Sequence, residues 1–159
     1  MDLHEQLKEI KTQLRLSMNG VASQSMREKG LNYKLNFGVE LPRIKEIAAR
    51  YEQNHALAQA LWKENIRECK ILATMLQPAE SFLPEIADIW IDAIPTIELA
   101  EYLCMNLLRK LSYAPAFAMR LIAEDAVYQD IIEKYILFYV NESGTWKEIS
   151  PEYTSRGYN

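Results

Sequence analysis

Apolar residues recur every third or fourth position along almost the whole chain, the repeat expected of helices that bury one face. Leu3, Leu7, Ile10 and Leu14 carry Lys and Glu between them and predict a first amphipathic helix ending near Met18-Asn19-Gly20. Residues 21–30 predict a second short helix closed by Gly30, whose missing Cβ admits the left-handed conformation at a helix end. A loop runs from Leu31 to Leu41, and Pro42 then suits a first helical turn, where its absent N–H would have no partner anyway. Ile44, Ile47, Ala48 and Tyr51 form the apolar face of that helix. Asn54 is a natural N-cap for a short helix burying Leu57, Leu61 and Trp62. Cys69, Leu72, Ala73 and Leu76 repeat the template until Pro78 ends it.

The second half continues in the same way. Ser81 is read as the cap of a helix with Leu83, Ile86, Ala87, Trp90 and Ile94 on its apolar face, and Pro95-Thr96 breaks and restarts the pattern. Ala100, Leu103, Cys104, Leu107 and Leu108 form the next face, followed after Ser112 by Ala114, Phe117, Ala118, Leu121 and Ile122. Asp125 caps a last helix burying Tyr128, Ile131, Ile132, Tyr135, Ile136 and Tyr139, and Gly144 stops it. With Ile66, Ile97 and Tyr128 as equivalent starts, the interval is 31 residues twice, which fits stacked helix pairs. The expectation is one all-α domain over residues 1–144 with a polar tail at 145–159, and no segment reads as a strand.

Composition changes this picture little, but the charge distribution changes it a good deal. A chain of 159 residues with 49% hydrophobic and 25% charged residues is an ordinary globular protein. The net charge of −4 argues against a generally basic polyanion binder. Yet residues 1–70 hold twelve of the eighteen Lys and Arg against nine acids, whereas residues 71–159 hold six against thirteen. A polyanionic partner is therefore expected at the amino-terminal part. Cys69 and Cys104 lack Cys-x-x-Cys partners and have only His4 and His55 as other soft ligands, so no metal and no cofactor is expected. Two buried free thiols suit a reducing cytoplasm, and with a charged amino terminus and no apolar run of membrane-spanning length the expected location is cytoplasmic, with no membrane partner.

Phe37-Gly38-Val39, Pro42 with Ile44-Lys45, then Leu61-Trp62 and Arg67-Glu68 form a spaced set that resembles the HEAT-like-repeat DNA alkylation repair family over roughly residues 20–110. The resemblance implies a right-handed solenoid of antiparallel helix pairs, an α-α superhelix, that holds DNA. It also implies a glycosylase-like site in which aromatic side chains contact a damaged nucleoside and a carboxylate stabilises the developing sugar cation. The family places Trp-x-x-x-Asp on the helix that resembles the one after Pro95, where this chain has Ile97 and Glu101. The window of a later family arginine carries Gln129, Asp130 and Glu133, and Lys29 stands where an upstream aromatic is expected.

Glu101 is thus the candidate catalytic residue, with a solvent-facing boundary glutamate as the plainer reading. Glu85, Asp88 and Asp92 share a helix face and read as a solvated surface rather than a metal site. Trp62 and Trp90 could stack on bases but fall on the apolar sides of their helices, which favours core packing. Arg27, Lys29, Lys34, Arg43, Lys45 and Lys70 are the candidate DNA-binding rim, against a plainer reading as dispersed solubility charges. Arg67-Glu68 is taken as structural. Two functions follow: contact with damaged or irregular DNA with weak or no base excision, or a protein-interaction scaffold that has lost nucleic acid.

Overall fold

The structure, a computed structural model, describes residues 1–30, 33, 35–114, 116 and 117. Lys34, the helices expected beyond Phe117 and the 145–159 tail lie outside the described residues. The chain divides into two compact units, Met1–Phe82 and one beginning at Leu83.

Seven α-helices form the described part: α1 Leu3–Leu16, α2 Gly20–Glu28, α3 Leu41–Ala48, α4 His55–Lys63, α5 Arg67–Leu76, α6 Pro84–Asp92 and α7 Ile97–Asn106. Among the described residues the only β-type pairing is an isolated parallel bridge between Leu35 and Ile66. The all-α expectation holds, and most helix ends fall where the sequence signals place them.

In the first unit, α1 starts on a reciprocal cap: Asp2 accepts from the Glu5 N–H at 2.8 Å, and Glu5 accepts from the Asp2 N–H at 3.4 Å. Asn19 caps α2 through the Ala22 N–H at 3.0 Å, and Asn54 caps α4 through the Leu57 N–H at 2.9 Å. Pro42 sits in the first turn of α3, and Gly30 adopts φ +86° just past α2. The Asn54 N–H donates to the Leu76 carbonyl at 2.9 Å, tying the start of α4 to the end of α5. With a short turn joining their other ends, the two helices run antiparallel. Helix α5 is the centre of this unit, packed against α3 and α4, while α1 covers α3 and α4. Ile10, Leu14, Ile44, Ile47, Leu57, Leu61, Ile71 and Leu72 are fully buried there. Removing them from water is the main stabilising term, about 1.5–3 kcal/mol for each large side chain.

The cap expected for α6, the first helix of the second unit, is corrected. Ser81 lies in a 3-10 turn, Ala79–Ser81, and its hydroxyl accepts from the Gln77 side-chain amide at 3.2 Å. Leu83 is the N-cap of α6 and Pro84 its first residue, so Leu83 is turned outward and is 54% exposed. Proline is tolerated at this point because a first-turn N–H has no intrahelical acceptor. Thr96 caps α7 through the Leu99 N–H at 3.2 Å. Ala87, Trp90, Ala100, Leu103, Cys104, Leu107, Leu108, Ala114 and Phe117 are buried, as their spacing predicts, and so is Leu99. Trp62 and Trp90 are both core residues, which removes them as stacking platforms.

Candidate nucleic-acid interface

The Phe37-Gly38-Val39 turn is the best-anchored feature of the first unit. Glu68, at 0% exposure, accepts from the Phe37 N–H at 3.0 Å through Oε1 and from the Val39 N–H at 3.3 Å through Oε2. Arg67 Nη1 donates to Glu68 Oε2 at 2.7 Å and to the Val39 carbonyl at 3.1 Å. Both backbone groups of Val39 are therefore satisfied by one buried ion pair. On the other side, the Phe37 carbonyl accepts from the Asn19 N–H at 2.9 Å, and the Asn36 carbonyl accepts from the Ser23 hydroxyl at 2.6 Å. The turn thus joins the start of α2 to the start of α5. Arg67-Glu68 is structural, as expected.

The candidate rim separates into distinct environments. Arg27 and Lys29 are exposed at the end of α2, and Lys45 is exposed in the last turn of α3. Arg43, three residues into α3, is half-buried and engaged: Nε donates to Ser17 Oγ at 2.9 Å, Nη1 to Glu46 at 3.1 Å and Nη2 to Gln13 at 3.1 Å. It ties α3 to α1 more than it faces solvent. Lys70 has no place on an exposed rim, because it is 9% exposed, its ammonium donates to the Trp62 carbonyl at 2.6 Å and it lies 4.8 Å from the centre of the Trp62 ring. Burial holds its pKa below the usual lysine value. The long lysine stem lets the charge reach a carbonyl under cover of the indole, a cation–π arrangement that sequence position does not reveal.

Reading α1 from its apolar repeat alone misses a second repeat, of basic residues. His4, Lys8, Lys11 and Arg15 line one side of the helix and, with Leu7 and Thr12, border a groove of about 240 Å³. Lys11 pairs with Glu64 just past α4 at 2.6 Å. The i, i+4, i+7, i+11 spacing of these residues was the available signal.

The second unit has the opposite character. No Lys or Arg occurs from residue 71 to 108, and Glu80, Glu85, Asp88, Asp92, Glu98 and Glu101 lie in that span. Glu101 is half-buried on α7, one turn after Ile97, which is 50% exposed at the first position of the helix. Burial, with the Glu101 carboxylate as a lesser contribution, pushes the Cys104 thiol well above its ordinary pKa. Burial is also the main reason the Cys69 thiol is pushed up to about 12, with Glu64 adding to it. Both thiols are fully buried, so Ellman's reagent is expected to react with neither in the folded protein at pH 8 and with both after denaturation; rapid native reaction would contradict this packing. Among the described residues no group of three or more His, Cys, Asp or Glu could hold a metal ion, and no helix is long and apolar enough to cross a membrane.

The family model described as "DNA alkylation repair enzyme" matches residues 10–128. The chain belongs to that family. Searches among curated proteins and among solved structures return no match. Membership of this family supports a role related to DNA repair. The match spans all seven helices apart from the first turns of α1, so it includes the α7 segment carrying Ile97 and Glu101.

Proposed function

We propose that this chain is a DNA-contacting member of the alkylation-repair family with weak or no base excision, built as a right-handed HEAT-like superhelix of antiparallel helix pairs and working in the cytoplasm. The observation that carries this reading is the partition of exposed charge. Arg27, Lys29 and Lys45 stand in solvent on the first unit without a carboxylate partner among the described residues, while the span from 71 to 108 has carboxylates and no cation. Phosphates are attracted to the first surface and repelled by the second. The antiparallel α4–α5 pair supports the repeat architecture. Weak excision is supported by Ile97, which offers no π-face for a damaged base at the position where the resemblance calls for an aromatic.

Duplex DNA is expected to retain the protein at low ionic strength and release it as salt rises, and Arg27→Glu with Lys45→Glu is expected to weaken retention and lower the salt slope by about 1 per lost phosphate contact. Arg43→Glu is a poorer probe, because it also breaks the bonds to Ser17 and Gln13. Alkylated DNA is expected to release little methylated purine, and Glu101→Gln is expected to abolish whatever release occurs. Rapid release by the unaltered protein would replace weak excision with full glycosylase activity.

A second reading, a protein-interaction scaffold, is favoured by one observation: Leu83, Ile89 and Ile97 are at least half-exposed within the cation-free span. Absence of DNA retention at low salt would leave this reading in place of the first.

A further inference from the structure

We infer that the cationic side of α1 is a second phosphate-tracking surface, along which His4, Lys8 and Arg15 follow the backbone of a DNA strand; this rests on the DNA-contact reading above. These residues border the groove together with Leu7, Lys11 and Thr12. His4, Lys8 and Arg15 are exposed, and their side chains make no hydrogen bond or ion pair among the described residues. Their span along the helix is roughly 16 Å at 1.5 Å per residue. Along the backbone of a DNA strand successive phosphates lie roughly 7 Å apart, about twice the axial rise, so the row faces about two or three phosphates.

Neither acid of α1 forms an ion pair with this row among the described residues. Glu5 is held in the cap by the Asp2 N–H, and Glu9 accepts from the Tyr51 hydroxyl on the α3 side. That second bond, with burial of the phenol as the larger cause, raises the Tyr51 pKa. Only Lys11 has its charge offset, by Glu64 at 2.6 Å. The ion pair ties the Lys11 side chain to Glu64 just past α4, whereas the other three basic side chains have no such tie among the described residues.

A regular polyanion suits this surface better than a lipid bilayer does. An interfacial helix must offer lipid a continuous apolar face, and on α1 Ile10 and Leu14 are fully buried in the first unit, which leaves Leu3 and Leu16 exposed at opposite ends of the helix. Between them the exposed side chains are polar or charged, and the basic ones attract phosphates without requiring insertion.

The test is retention of the full chain on undamaged duplex DNA over a salt series, with vesicles containing phosphatidylserine as a second probe. Lys8→Gln with Arg15→Gln is expected to weaken DNA binding more than about tenfold at 0.1 M salt and to reduce the salt slope by about 2. Lys8→Arg with Arg15→Lys is expected to bind as the unaltered chain does, because charge rather than shape is read. Both positions are exposed, so urea unfolding of each double variant should match the unaltered chain and exclude misfolding as the cause of a loss. Unchanged binding by Lys8→Gln with Arg15→Gln, alongside a loss in Arg27→Gln with Lys45→Gln, overturns the α1 surface while leaving DNA contact standing. Failure of the unaltered chain to bind DNA, with or without vesicle binding, overturns both.

Discussion

Replacing Glu68 by alanine is expected to destabilise the first unit by about 3–5 kcal/mol, the range for removing one partner of a buried ion pair. The physical loss has three parts. Arg67 would lose the buried carboxylate it pairs with, and the N–H groups of Phe37 and Val39 would lose their acceptors at the same time. No water-filled alternative is at hand, since Glu68 has no exposed surface. Urea unfolding followed by circular dichroism measures the effect, and a loss below about 1 kcal/mol would mean that the turn is held by apolar packing instead.

A companion variant separates this arrangement from an ordinary buried salt bridge. Many such bridges can be replaced by apolar residues of similar volume at no cost. Here Arg67→Met with Glu68→Leu is expected to remain destabilised, because the carboxylate serves the backbone as well as the guanidinium. The pair is adjacent in sequence, and neighbouring helical residues do not normally face each other. They meet because both lie at the start of α5, where Arg67 is free to reach back to the Val39 carbonyl.

How much of this was legible in the sequence follows from how local each feature is. Asn54, Pro42 and Gly30 act within one helical turn, so their roles could be read directly. The burial of Leu57, Leu61, Leu72 and Leu103 followed from their period. Ser81 misled because a good capping residue stands three positions before a proline, and Phe82 rather than Leu83 takes the buried place next to it. The candidate interface was legible as a charge bias but not side chain by side chain. Arg27, Lys29 and Lys45 are exposed, whereas Arg43 and Lys70 are drawn to Gln13 and to the Trp62 carbonyl by tertiary neighbours far along the chain. Long flexible side chains carry their charge several ångströms from the backbone, and sequence spacing constrains only the backbone.

Gly38→Ala is expected to destabilise the first unit by roughly 3 kcal/mol, combining ~1–2 kcal/mol for a left-handed residue with ~1–3 kcal/mol for overpacking. Gly38 has φ +67°, and a Cβ there would lie 2.5 Å from the Asn19 carbonyl oxygen and 2.5 Å from the Ser23 nitrogen. Both are backbone atoms at the start of α2, so no rotamer change relieves the contact. Nor can α2 easily withdraw, since the Asn19 N–H and the Ser23 hydroxyl are bonded to the carbonyls of Phe37 and Asn36. Gly30 provides the control: it has φ +86° with nothing within 4 Å of its added Cβ, so Gly30→Ala should show the conformational cost alone, about 1 kcal/mol. Equal losses in the two variants, measured by urea unfolding, would show that α2 shifts freely from the turn. A larger loss at Gly38 is expected, because the turn also fixes the helix on which Arg27 is displayed to solvent.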